Sequence, residues 1–289
     1  GESENEAENR ARDFRRRSET VRVRDQIALQ GVKIGLPIKH WLITETIGKI
    51  TIGYNYAQEF ERSQIVAERF WWQWQFTGQY APQLPQVNFN LLSWASDIPI
   101  LETYKGFKVN LLPTTISFSV NMNRARTTEQ SRFLDIPSPV VRQFSAERSA
   151  QMNWRLTEGG ILSPIIDYNF TTGSTLAPFE LNEFGQQRNG VDISRQIFFN
   201  NGIINFGTSN SHTQTVTINM TPKIPDLWGL NNYLSNRASF VTTYTWRDPL
   251  KPDPNLADIV KQASWQNKIT FNSTLQLKSM SNKWFNPKD

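Results

Sequence analysis

The sequence predicts an all-β fold: an antiparallel transmembrane β-barrel segment of about eight or nine long amphipathic strands with polar loops. Three observations carry that expectation. Apolar residues recur at every second position over several stretches, the period of a strand with two unlike faces. Many of these stretches exceed the roughly 5 to 6 residues usual in globular sheets and approach the roughly 9 to 11 that cross a bilayer. Their second faces hold Thr, Ser, Asn and Gln with few charges, which suits a hydrated barrel interior better than the charged exterior of a soluble sheet.

Residues 1–30 read as a polar lead-in, disordered or periplasmic, in which Glu2, Glu4, Glu6 and Glu8 precede Arg10, Arg12, Arg15, Arg16 and Arg17. A nucleic-acid arm at Arg15 to Arg17 is the sharper alternative. A net charge of +5 over 289 residues is modest, so no nucleic-acid partner is expected. Gly1 follows no Met, basic n-region or apolar h-region, and the chain reads as processed or excised. No apolar run is long enough for a transmembrane helix.

Residues 31–289 read as the barrel segment. A mixed stretch from Gly31 to Ile47, with His40 and Trp41, leads to the first long strand. In Lys49 to Tyr56, Ile50, Ile52, Tyr54 and Tyr56 alternate with Thr51, Gly53 and Asn55. Phe70, Trp72, Trp74, Phe76 and Tyr80 then oppose Gln73, Gln75, Thr77 and Gln79, so the two strands form a hairpin through Ser63 to Glu68. Pro82, Pro85, Pro99 and Pro113 mark a Pro-rich insertion around 81–113, read as a loop or a segment packed against the barrel wall.

Alternation returns at Thr115 to Arg124, where Ile116, Phe118, Val120 and Met122 oppose Ser117, Ser119 and Asn121, and a polar loop rich in Arg and Thr is expected beyond. From Gln143 to Leu156, Phe144, Ala146, Ala150, Met152, Trp154 and Leu156 share the next face, interrupted by Arg148. A tight turn at Thr157 to Gly160 leads to a strand with Leu162, Ile166, Tyr168 and Phe170 in phase. Ala177 to Gly190 reads as an exposed loop, Ile193 to Phe206 as an irregular strand region and His212 to Met220 as a cleaner strand. After a break from Pro222 to Leu234, two final strands carry Phe240, Tyr244 and Trp246, and Ile269, Phe271, Leu275 and Leu277; the loop between them, Arg247 to Lys261, is proline-rich.

The residues expected to meet the membrane or its interface are thus Tyr54, Tyr56, Phe70, Trp72, Trp74, Phe76, Phe118, Trp154, Tyr168, Phe170, Tyr244 and Trp246. Those expected to face the lumen are Thr51, Asn55, Gln73, Gln75, Ser117, Ser119 and Asn121. An aromatic content of 12%, heavy for a soluble domain, is explained by interfacial girdles.

Catalytic chemistry has little to build on, and no catalytic, cofactor or metal site is expected. Cys is absent, His40 and His212 are the only histidines, and neither an HExxH nor a GxSxG motif occurs. Asp167, Glu180 and Asp192 are scattered, so no acid/base pair stands out. Asn169, Asn219 and Asn272 open glycosylation sequons that the abundance of Asn and Thr explains by chance.

Four passages resemble the SprA (Sov) family, the outer-membrane translocon of the type IX secretion system linked to gliding motility. They are Asn110-Leu111-Leu112-Pro113 leading into Ile116 to Arg124; Trp154-Arg155-Leu156-Thr157-Glu158-Gly159-Gly160 before Asp167-Tyr168-Asn169; Tyr244-Thr245-Trp246-Arg247-Asp248-Pro249; and Ala263 to Ile269 running into Leu275-Gln276-Leu277. Together they span roughly Lys105 to Leu277. The resemblance implies a fragment of a passive, polar-lined export channel in the cell outer membrane. It implies as partners the lipid bilayer, secreted cargo proteins, a PorV-like barrel beside a lateral opening, and a periplasmic plug.

Two other classes fit the pattern of residues. An independent small outer-membrane barrel, acting as porin, receptor or adhesin, would close eight or so strands around its own side chains. A soluble carbohydrate-binding β-sandwich would use Trp71, Trp72 and Trp74 as a sugar platform.

Overall fold

Two-residue periodicity fixes which side chains share a face, and antiparallel pairing carries each face across neighbouring strands. A computed structural model describes residues 2–33, 47–92, 102–133, 140–175, 180–182, 184–199, 204–224, 232–248 and 261–285. His40, Trp41, Trp94, Pro99 and residues 249–260 lie outside the described residues.

The chain is a mostly antiparallel β protein built on one nine-stranded sheet. In chain order the strands are β1 (Val21–Lys33), β2 (Ile50–Arg62), β3 (Val66–Tyr80), β4 (Asn88–Asn90), β5 (Lys108–Asn110), β6 (Thr115–Ser131), β7 (Val140–Arg155), β8 (Thr157–Glu158), β9 (Ile165–Thr175), β10 (Thr208–Met220), β11 (Leu234–Arg247) and β12 (Gln262–Leu275). The large sheet runs β1-β2-β3-β6-β7-β9-β10-β11-β12, so each long strand pairs with the next long one in sequence. Short strands β4, β5 and β8 form a separate sheet. Three α-helices, α1 (Glu2–Ser18), α2 (Gly190–Phe198) and α3 (Leu277–Phe285), and two 3-10 turns at Ile47–Lys49 and Glu102–Tyr104 complete the described fold.

The long strands run from 11 residues in β9 to 17 in β6. The hairpin through Ser63 is present: the Ser63 amide donates to the Val66 carbonyl at 3.0 Å, and its Oγ accepts from the Val66 amide at 3.1 Å. Among the described residues the sheet does not close, and β1 and β12 stand at its edges.

Several expectations need correction. The lead-in is not disordered: it forms the solvent-exposed helix α1, laced by Arg10–Glu6 and Arg12–Glu8 pairs one turn apart, and its remainder pairs as β1 along β2. The region read as a polar loop after Arg124 continues β6 to Ser131. Within the stretch expected as an irregular strand region from Ile193 to Phe206, Ile193 to Phe198 are helical, since α2 begins at Gly190 with the Asn189 side chain accepting from the Val191 amide. Leu277 belongs to α3 rather than to the last strand.

No tight turn joins β7 to β9. Thr157 and Glu158 leave the large sheet to pair with β5, drawing the described end of the Pro-rich insertion onto the end of that sheet. Asn110 is the buried pin of that junction: its amide nitrogen donates to the Arg155 carbonyl at 2.8 Å, and its own carbonyl accepts from the Trp154 indole at 2.9 Å. Gly159 is required there. Its φ of 71° favours glycine, and a Cβ would lie 2.6 Å from the Gly106 carbonyl oxygen.

Candidate functional site

Strand pairing places every expected membrane-facing residue on one face of the large sheet and every expected lumen-facing residue on the other. Tyr56 opposes Trp74, Phe76 opposes Met122, Tyr80 opposes Phe118, Ala150 opposes Phe170, Met152 opposes Tyr168 and His212 opposes Trp246. On the second face Asn55 opposes Gln75, Ser117 opposes Gln151, Ser119 opposes Ser149 and Asn121 opposes Glu147.

The polar face is a continuous hydrogen-bonding surface. Gln73 donates to Asn123 at 2.7 Å, Ser119 and Ser149 share a 2.6 Å bond, and Ser239 donates to Asn219 at 3.0 Å. Charges gather toward the hairpin end, where Arg22 pairs with Glu59 at 2.8 Å and Arg69 lies 3.6 Å from Glu61. Neutral cross-strand hydroxyl and amide pairs hold the register while leaving capacity for water on their open side.

The apolar face divides in two. Across its lower part Phe118, Ile269 and Phe271 are 48%, 79% and 63% exposed, and Ile218, Phe240 and Ile269 lie side by side on three strands. Its upper part is covered by the β9–β10 connection. Ile193 and Ile197, one turn apart on α2, are fully buried against Trp74, Met122, Phe144 and Ala146, with Phe198 5.9 Å from Trp74 and 5.7 Å from Phe76. Trp74, expected to meet the membrane, is therefore buried beneath the chain's own helix with 7% of its surface exposed, because α2 supplies the apolar partner that lipid was expected to supply.

The same connection brings a buried charge. Arg124 projects from the apolar face of β6, its Nη2 donating to Glu180 Oε2 at 2.8 Å while its Nε donates to Oε1, and its guanidinium lies 5.0 Å over the Trp72 ring. Gln187 Nε2 donates to Glu180 at 3.1 Å, and Arg142 Nε donates to Gln187 Oε1 at 2.7 Å. Burial pushes the Glu180 carboxyl up, but the Arg124 hydrogen bonds and charge outweigh it, and with Gln187 and Arg142 they hold the group below its ordinary range. The sequence reading named Glu180 only as one scattered carboxylate and Arg148 only as an interruption.

Arg148 lines a separate recess of about 540 Å³ with Phe170, Thr172, Ser209, His212, Tyr244 and Trp246. Register explains the grouping: Arg148, Thr172, His212 and Trp246 are cross-strand neighbours on β7, β9, β10 and β11, and a bulge between Ser209 and Ser211 shifts the pairing above them. The His212 Nδ1 shares a 3.0 Å bond with Thr172 Oγ1, and its ring meets Phe170 edge to face at 4.9 Å. Among the described residues no three His, Asp or Glu side chains gather as metal ligands.

No known protein-family description matches the chain, and no curated protein matches it.

Proposed function

We propose that this chain is an arc of the wall of a large outer-membrane protein-export channel of the SprA kind, with its polar face toward a hydrated lumen and the lower part of its apolar face toward lipid. One observation carries the reading: across nine long antiparallel strands apolar side chains predominate on one face, where Arg124, Arg126, Arg142 and Arg148 are among the charged exceptions, and polar side chains on the other. From Ala238 to Trp246 the apolar row on β11 extends about 27 Å at roughly 3.4 Å per residue, close to the roughly 25 Å apolar band of such barrels. Within the described residues, the passages that resemble the SprA family include the start of β6, the ends of β7 and β11 and most of β12.

The strand count among the described residues favours an arc over a small closed barrel. In an antiparallel meander the first and ninth strands point the same way, so closing β1 on β12 would require a parallel seam, whereas bacterial single-chain barrels use even strand numbers. Two free edges fit a wall continued by further strands. Within this reading α2 lies against the wall at the level of the membrane interface. The chain acts passively: its Thr, Ser, Asn and Gln surface lets cargo slide past without strong adhesion, and a PorV-like barrel and a periplasmic plug are its proposed partners.

Outer-membrane fractionation of charge variants tests the reading. Lys at Phe118 should lower the inserted fraction, at a cost of about 2–4 kcal/mol near the midplane. Lys at Ser119 should insert normally. Equal tolerance at both positions would remove the basis for the two faces.

A further inference from the structure

We propose that the recess between Arg148, His212 and Trp246 binds the phosphate-bearing headgroup of an anionic membrane lipid, an assignment that rests on reading this face as the lipid-facing one. The argument begins with an unbalanced charge. The guanidinium of Arg148 stacks 4.8 Å over the Phe206 ring, and its Nη2 donates to Ser174 Oγ at 3.1 Å and Ser209 Oγ at 3.0 Å. Its Nε is buried without an acceptor, and no carboxylate pairs with the side chain among the described residues. Its direct cross-strand neighbours are Val120 and Thr172, neither of which is anionic. A partly buried guanidinium held only by neutral hydroxyls retains a strong preference for an anion.

Arg124 provides the internal contrast. It projects from the same face of the adjacent strand, and there the chain supplies Glu180 as the counter-ion. At Arg148 the chain supplies a cavity instead. Lys261 lies 6.0 Å over the Trp246 ring but is paired with Asp248 at 3.2 Å, which among the described residues leaves Arg148 as the uncompensated cation of the recess.

The remaining lining suits a phosphoester. Ser209 and Thr172 place hydroxyls beside the guanidinium, and His212 adds a second ring nitrogen beyond the one engaged by Thr172. Phe170, Tyr244 and Trp246 give the recess apolar flanks of the type that settles at the headgroup level of a bilayer. A volume of about 540 Å³ admits a headgroup with part of its glycerol. Free phosphate shares the anionic chemistry but would leave those aromatic flanks unused.

Titration of the purified protein in neutral detergent with water-soluble short-chain lipids tests the assignment. Dihexanoyl phosphatidylglycerol should bind at least tenfold more tightly than dihexanoyl phosphatidylcholine. Arg148→Gln should abolish that preference, while Arg237→Gln on the polar face should leave it intact. Because Arg148 also braces Ser174 and Ser209, Trp246→Leu runs in parallel and should weaken the anionic lipid several-fold without disturbing that bracing. Equal affinity for both lipids, or an unchanged preference in Arg148→Gln and Trp246→Leu, would overturn the proposal. Inorganic phosphate binding as tightly as the glycerol lipid would overturn the lipid assignment in favour of a soluble phosphate. The titration needs no bilayer, so failure here is distinct from failure of the wall reading, which membrane fractionation decides.

Discussion

Arg124 on β6 and Glu180 in the β9–β10 connection form a two-pronged ion pair between residues 56 positions apart, and both side chains retain only 5% of their exposure. The pair fastens a loop and its helix onto the apolar face. Removing one partner leaves the other charge buried alone, which typically costs about 3–5 kcal/mol, whereas replacing both by apolar groups costs far less. Glu180→Ala should therefore speed hydrogen exchange of the α2 amides by a factor on the order of a hundred to a thousand. The double variant Arg124→Met with Glu180→Leu should recover most of the protection.

Acid should release the same contact. The folded Glu180 carboxyl titrates below its ordinary value of 4.5, so the stabilisation it brings is fully present above that value and is lost as pH falls through the lower folded value. Exchange protection of α2 should stay flat through neutral pH and collapse only below about 4.5. The Glu180→Gln variant, lacking the titrating group, should show no such acid step.

Ile197 tests the apolar half of the attachment. It is fully buried against the Trp74, Met122 and Phe144 cluster, and Ile197→Ala should weaken helix docking by about 2–5 kcal/mol. Trp74 fluorescence should then shift toward the red as its ring gains contact with water, a change that Val191→Ala on the exposed side of α2 should not produce.

Gly159 probes the junction of the insertion with the wall. An alanine there meets the Gly106 carbonyl and must hold a left-handed backbone, at a cost of about 1–3 kcal/mol. Gly159→Ala should make the β4–β5 region protease-sensitive while the large sheet remains intact.

Faces were legible in the sequence where one face is uniformly apolar, as in β2, β3 and the first half of β6. They became illegible where a charged residue occupies an apolar-face position and finds its partner far away. Arg124 and Arg126 made the second half of β6 look like a loop because Glu180 lies in another segment. β1 does alternate, with Val21, Val23, Ile27 and Leu29 in phase, but Asp25 and the preceding charge clusters hid the signal. For α2 the cues were Asn189 as a cap and Ile193 with Ile197 at a four-residue spacing, a pattern too short to compete with the surrounding strand texture. The recess was out of reach, since Arg148, Thr172, His212 and Trp246 become neighbours only through the pairing of four strands.

On this reading alternate residues in the first half of β6, ahead of the part that α2 covers, meet lipid and water. The chain contains no Cys, so single Cys variants from Ile116 to Asn121 can each carry one spin label. In the membrane-embedded protein, collision with oxygen reports lipid and collision with a water-soluble nickel complex reports the lumen. Labels at 116, 118 and 120 should favour oxygen, and those at 117, 119 and 121 should favour nickel, giving two out-of-phase oscillations of period two. Equal nickel access on both sets would contradict the wall.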